Sequence, residues 1–171
     1  MIQVELSNRQ SNLDVDSKRL VEAARSVLVA ENVQQATISL AVVDDETIHG
    51  LNRRFLSHDY PTDVLSFLSN DEVDHLEGEI IVSADTAVRS AVEYQWPAMH
   101  ELMLYVIHGT LHLTGYNDRT LEERRKMREL ESLHLTQLGI TPPRDHVFVE
   151  QQPGETHSAE AIGSRGGADT S

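Results

Sequence analysis

Cysteine is absent from all 171 residues. That excludes disulfides, thiolate-ligated zinc and iron–sulfur clusters, and leaves imidazole and carboxylate as the plausible metal donors. Long apolar runs are missing too. None approaches the roughly 20 residues of a membrane span, and the opening MIQVELSNRQ lacks the basic-then-apolar order of a signal peptide. A cytoplasmic protein with no membrane partner is therefore expected. Positive charge is scarce: 14 Lys and Arg stand against 28 Asp and Glu, for a formal charge of -14. Broad charge-driven binding of nucleic acid is disfavoured, because phosphate contacts demand cations. The cations are nevertheless unevenly spread. Arg119, Arg124, Arg125, Lys126 and Arg128 crowd one stretch, offset only by Glu122 and Glu123; they form either a local basic patch or a solvated helix face with i,i+4 pairs.

A chain of this length can bury roughly 70% of its unfolded surface as one domain without staples. Ile2 to Leu6 alternates as a half-buried strand does, and Asp14 to Asn32 carries Leu20, Ala23, Ala24, Val27 and Leu28 at helical spacing. Ala36 to Val43 reads as a buried strand. Asp44, Asp45 and Glu46 then supply the N-terminal carboxylates of a helix through Leu56. Val64 to Phe67 and Glu79 to Val82 are two further short strands, with polar Ser69 to Glu77 read as the turn between them, and Ala84 to Tyr94 is a helix. Proline 97 opens the next helix, which runs to Thr114 and is apolar almost all round, so it belongs at the centre of the fold. Thr120-Leu121-Glu122-Glu123 has the form of a capping box for a last helix to about Leu138, stopped by Gly139. From about residue 150 almost nothing is apolar, which predicts an acidic disordered tail over 150–171 behind a domain at 1–149.

The central helix carries the chemistry. His108 and His112 stand four residues apart, so both imidazoles lie on one helical face and can converge on a single ion. Gly115 accepts the left-handed conformation that turns the chain back and can carry Asp118 round as a third ligand; a turn or N-cap role for Asp118 is the alternative, and the two are compatible. Three protein ligands and a water describe a catalytic zinc, although nickel and manganese also accept N/O donors. Gly109 stands where H-E-x-x-H hydrolases place a glutamate, so the general base lies elsewhere or is metal-bound hydroxide. A mid-helix glycine costs about 1 kcal/mol relative to alanine, and its presence predicts that a neighbouring backbone approaches there, the strand at Ile80. Glu101, two turns earlier, either orients a ligand or is an exposed helix residue. Ser66 and Ser83 line a cleft or serve as turn and strand-edge hydroxyls. Of the other histidines, which show no second paired spacing, only His58 is given a functional role.

The segment His108 to Asp118 resembles the signature H-G-x-L-H-L-x-G-Y-D-H of the YbeY family of bacterial rRNA-processing endoribonucleases. Leu51-Asn52 followed by Pro61-Thr62-Asp63-Val64-Leu65-Ser66-Phe67 resembles the family's L-N…P-T-D/N-V-L-S-F block, and Gly78-Glu79-Ile80-Ile81-Val82-Ser83 its G-D-I-x-I-S strand. The resemblance covers most of residues 40 to 140. It implies an α+β fold, one domain with a mixed sheet of about four strands flanked by about five helices, and a zincin-like helix holding one Zn2+. It also implies a single-strand-specific endoribonuclease that matures the 3′ end of small-subunit 16S rRNA and serves ribosome quality control. Ribosomal RNA and small-subunit or assembly proteins would be its partners; oligomeric state stays open. Two positions depart from the family pattern. Asp118 replaces the usual third histidine, which lowers the net charge of a loaded site from about +2 to about +1 and leaves its water less acidic. Leu56 occupies the family's arginine position, where a cation would face the scissile phosphate; Arg53, Arg54 or His58 can supply that charge. The candidate catalytic residues are thus Arg54, His58 and Ser66, and the metal ligands His108, His112 and Asp118. The rival reading is a zinc-binding ribosome-assembly factor with weak or no nuclease activity. A metallohydrolase acting on peptides or small molecules would also suit the paired histidines, but not the P-T-D-V-L-S-F block.

Overall fold

A computed structural model describes residues 1–72, 75–143 and 162–163. Within it, strands β1 (Ile2–Asn8) and β2 (Ala36–Val43) are separated by helix α1 (Ser17–Ala30), and α2 (Asp45–Leu56) follows. Strands β3 (Val64–Glu72) and β4 (His75–Ser83) form a hairpin, after which come α3 (Ala84–Tyr94), α4 (Ala98–Leu113) and α5 (Leu121–Gln137). Four of these five helices start at a side-chain cap, and α4 starts behind Pro97 without one. The Asp16 carboxylate accepts from Arg19 N, Asp44 from Thr47 N and the Ser83 hydroxyl from Thr86 N, each satisfying a donor that the first turn leaves free. Thr120 and Glu123 make the reciprocal capping box at α5, as its sequence predicts.

The sheet order is β1-β2-β4-β3-β5, with β5 (Ile162–Gly163) a two-residue addition at the edge. β1, β2 and β4 run parallel, β3 is antiparallel to β4, and β5 pairs parallel with β3. This is the mixed sheet of an α+β fold, flanked by five helices. The tail expected over 150–171 lies outside the described residues apart from β5.

Alternation along the strands separates two cores. Ile38, Leu40, Val42, Val64, Ile80 and Val82 face α1, α3, α4 and α5, whereas Val43, Leu65 and Ile81 face α2 and its Ile48. Every residue of α4 from Glu101 to Leu113 is buried, which makes it the rod around which the larger core packs.

One expectation is overturned. Ser69 to Glu77 is not a long turn: β3 and β4 continue through most of it, with Asn70 opposite Glu77, Asp71 opposite Leu76 and Glu72 opposite His75, after a register shift between Leu68 and Asn70. Ladder hydrogen bonds join backbone groups and make no demand on side-chain polarity, so polar composition alone does not end a strand.

Candidate metal centre

α4 projects both imidazoles to one side. The rings of His108 and His112 meet edge to face, with centroids 4.6 Å apart and planes at 78°. Their Nε2 atoms lie 3.0 Å apart. Beyond the helix, Gly115 adopts φ +112° and reverses the chain. Gly115 N donates to the His112 carbonyl and Tyr116 N to that of Leu111, while the Tyr116 hydroxyl donates to the Glu31 carboxylate at 3.1 and 3.2 Å. The turn thus held brings Asp118 Oδ2 to 3.5 Å from His108 Nε2 and 3.6 Å from His112 Nε2. Bonds of 2.0–2.1 Å in a tetrahedral zinc site place neighbouring donors about 3.3 Å apart. These three donors, with separations of 3.0, 3.5 and 3.6 Å, fit such an ion.

A fourth residue completes the arrangement. Glu131 of α5 is buried, and its Oε2 lies 2.6 Å from His108 Nδ1. An ionised carboxylate only accepts, so Nδ1 carries the ring proton and the Nε2 lone pair is left for a metal. Burial raises the Glu131 pKa, but the bond from His108 and the charge of Arg128 outweigh it and keep the group below its ordinary value. Arg128 reaches both Glu131 oxygens, at 3.2 and 3.3 Å. His112 Nδ1 has no hydrogen-bond partner in the structure, so the two imidazoles are held differently.

The metal-free cluster attracts protons. Burial opposes charge on His108, yet the carboxylates of Asp118 and Glu131 push its pKa up to about 10. Asp118 shows the converse: burial raises its pKa, and hydrogen bonds from His108 and His112 more than reverse that. A cation delivered here therefore displaces a proton rather than entering a neutral cavity.

The remaining residues named from the sequence are dispersed. Ser66 is buried beneath α4 and donates its hydroxyl to the Gly109 carbonyl at 3.0 Å. A Cβ on Gly109 would meet Ser66 Oγ at 2.8 Å, Ile80 Cγ2 at 2.9 Å and Val64 Cγ2 at 3.1 Å, so the space is tight, but side chains rather than the expected backbone fill it. Ser83 caps α3 and donates to Asp45 at 2.7 Å. The exposed reading of Glu101 is wrong: it is 1% exposed and accepts from Trp96 Nε1 at 2.6 Å. Asp63 is also buried, which lifts its carboxyl to about 7 against the opposing charge of His108. Arg54 and His58 lie at the end of α2 and in the loop after it, where the Arg54 guanidinium sits 5.1 Å over the Phe55 ring and His58 stacks on Tyr60. Leu56 turns inward, partly buried against the smaller core. Within the basic stretch, Arg124 donates to the Arg119 carbonyl and Arg128 is committed to Glu131.

The sequence carries a signal for Glu131. Met127, Glu131, His134 and Leu135 form the buried stripe of α5, and a carboxylate at such a position demands a partner.

A family model described as "Endoribonuclease YbeY" matches residues 5–139. A protein of that name from Rhodopirellula baltica is 40% identical over 133 residues, covering 77% of this chain and 69% of the relative. Another from Carboxydothermus hydrogenoformans is 37% identical over 139 residues, covering 80% and 97%. Among solved structures, a Thermotoga maritima protein determined in solution superposes with a TM-score of 0.54 at 26% identity, covering 91% of this chain and all of that one.

Proposed function

The chain belongs to the endoribonuclease YbeY family, and on that premise we propose that it hydrolyses phosphodiester bonds of single-stranded RNA with one zinc ion held by His108, His112 and Asp118. The observation that carries this reading is the convergence of two Nε2 atoms and one carboxylate oxygen within 3.0–3.6 Å at the end of a buried helix. When bound, zinc supplies Lewis acidity to a phosphate oxygen and acidifies a water.

The protein's own residues do the rest. α4 is rigid because it is buried along its length, so the two imidazoles need little reorganisation on loading. Glu131 keeps the His108 proton on Nδ1. Asp118 neutralises part of the cation's charge, which favours retention of the metal and weakens its pull on water. Arg54 and His58 are the basic side chains nearest in sequence to Leu56, and in this reading they make the phosphate contact that Leu56 cannot. Ser66 acts indirectly, by fixing the Gly109 carbonyl and with it the pitch of α4 beside His108.

The substrate in this reading is ribosomal RNA, at the small-subunit 3′ end, with small-subunit or assembly proteins as partners. Residues 1–149 form the catalytic domain, residues 150–171 an acidic tail, and the setting is the cytoplasm. No helix among the described residues is long and apolar enough to cross a membrane. The test is metal analysis of the purified protein together with cleavage of a ribosomal RNA fragment, wild type against His112→Ala. Zinc and cleavage lost together support the reading, whereas a zinc-loaded wild type that leaves the RNA intact contradicts it.

A further inference from the structure

We propose that Phe55, His58 and Tyr60 form a stacking platform for unpaired bases of the RNA strand cut at the metal centre. The inference rests on the ribonuclease reading and adds to it the surface that selects a single strand.

Only three phenylalanines, four tyrosines and one tryptophan occur in the chain, yet two of these rings are spent on the surface within six residues. Phe55 is 55% exposed and Tyr60 38%. Their neighbours hold them in place. The Phe55 ring meets Phe67 of β3 edge to face at 5.8 Å. The rings of His58 and Tyr60 lie nearly parallel, 5.4 Å apart at 12°, with the tyrosine hydroxyl 3.2 Å from His58 Nδ1. Beneath them, fully buried Asn52 donates to the Tyr60 carbonyl at 2.8 Å and accepts from His58 N through its own carbonyl at 3.3 Å. The loop is therefore pinned from inside, so its rings are presented at low entropic cost.

Charge and location identify the occupant. α2 ends in Arg53, which is paired with Asp59 at 3.6 Å, and Arg54, which lies 5.1 Å over the Phe55 ring, so the Arg54 guanidinium borders the aromatic faces in a chain that is otherwise strongly acidic. Aromatic faces beside guanidinium groups suit nucleobases joined by phosphates; stacking accepts any base but requires it to be unpaired. Phe55 packs on the α2 side of the sheet, and it is the Tyr60 end of the platform that leads toward the metal. Tyr60 is four residues from Val64, at most about 14 Å of chain, and the Val64 side chain packs beside Gly109, the neighbour of His108. With Leu56 turned into the smaller core, this end of α2 offers ring faces beside the Arg54 guanidinium.

The test is the affinity of the full chain for a short labelled oligoadenylate and for an RNA duplex of equal length, read by fluorescence anisotropy, for wild type, Phe55→Ser, Tyr60→Ser and Tyr60→Phe. The serine variants are expected to bind the single strand on the order of tenfold more weakly, with duplex binding unchanged and Tyr60→Phe close to wild type. Circular dichroism and bound zinc at wild-type levels show that the fold is kept. The platform is overturned by serine variants that bind the single strand as wild type does, or that lose single strand and duplex equally, as a purely charged surface or a protein-docking patch would. Wild-type protein that cleaves RNA while the serine variants keep full affinity removes the platform alone; wild-type protein that neither binds nor cleaves RNA removes the ribonuclease reading with it.

Discussion

Replacing Glu131 with glutamine removes one negative charge and almost no volume, which isolates what the carboxylate does for His108. In the native protein Oε2 accepts from Nδ1 at 2.6 Å, between two buried side chains. The amide oxygen can still accept that proton, so the tautomer survives, but the added basicity and the anion facing the cation are lost. Groups that orient a metal-bound histidine are typically worth 10–100-fold in metal affinity, about 1.4–2.7 kcal/mol at 1.36 kcal/mol per tenfold. Glu131→Gln should lie near the lower figure. Glu131→Ala should lie at or above the upper one, because it also leaves Nδ1–H buried without this acceptor, a further penalty of about 1–3 kcal/mol on folding. Competition with a chromogenic chelator measures the affinity, and urea unfolding of the metal-free protein measures the stability. If both variants hold zinc as tightly as wild type, Glu131 is a packing residue and the account of how His108 is organised is wrong.

Three other outcomes follow from the same geometry. Gly109→Ala forces a Cβ to within 2.8–3.1 Å of Ser66, Ile80 and Val64; overpacking of about 1–3 kcal/mol exceeds the helix-propensity gain of about 1 kcal/mol, so the melting temperature should fall, and an unchanged value would refute the close fit. The pH dependence of the metal-free protein has a defined sign. His108, raised by Asp118 and Glu131 against burial from 6.5 to about 10, and Asp63, raised by burial from 3.8 to about 7, both hold protons in the folded state that the unfolded chain releases. The Asp63 contribution declines between 3.8 and about 7, where Asp118, Glu131, His100 and His134, all lowered, act in the opposite direction. Above 6.5 the His108 contribution dominates, so stability should decline from 6.5 to about 10 while zinc affinity increases with pH, and denaturant midpoints that rise across that window would contradict the assignment. Asp118→His restores a neutral third ligand and a more positive site, so the acidic limb of the pH–rate profile should move to lower pH, and a shift the other way would count against metal-bound water as the reacting group.

Much of this was legible in the residues. α4 announced its central place by being apolar on all sides, α2 and α5 carried their caps in Asp44 and in the Thr120–Glu123 pair, and Gly115 marked the reversal that brings Asp118 to the histidines. Each of these signals is local, set by the conformation a residue type prefers within a few positions. The misses depend on pairings that composition and spacing do not report, some within a few residues and some across the fold. The polar ends of β3 and β4 pair through backbone atoms that composition does not report. Glu101 is buried by Trp96 and its surroundings, and Ser66 by the helix that crosses above it. Glu131 reaches His108 from another helix, 23 residues away. Helical spacing offers no sign of such a contact except a charge standing on an apolar stripe.

The most direct measurement is zinc stoichiometry and affinity for wild type, His112→Ala and Asp118→Ala, with circular dichroism to verify folding. One tightly bound ion in the wild type, lost or greatly weakened in both folded variants, is the predicted result. An Asp118→Ala protein that binds the same single ion with undiminished affinity would contradict the three-ligand centre.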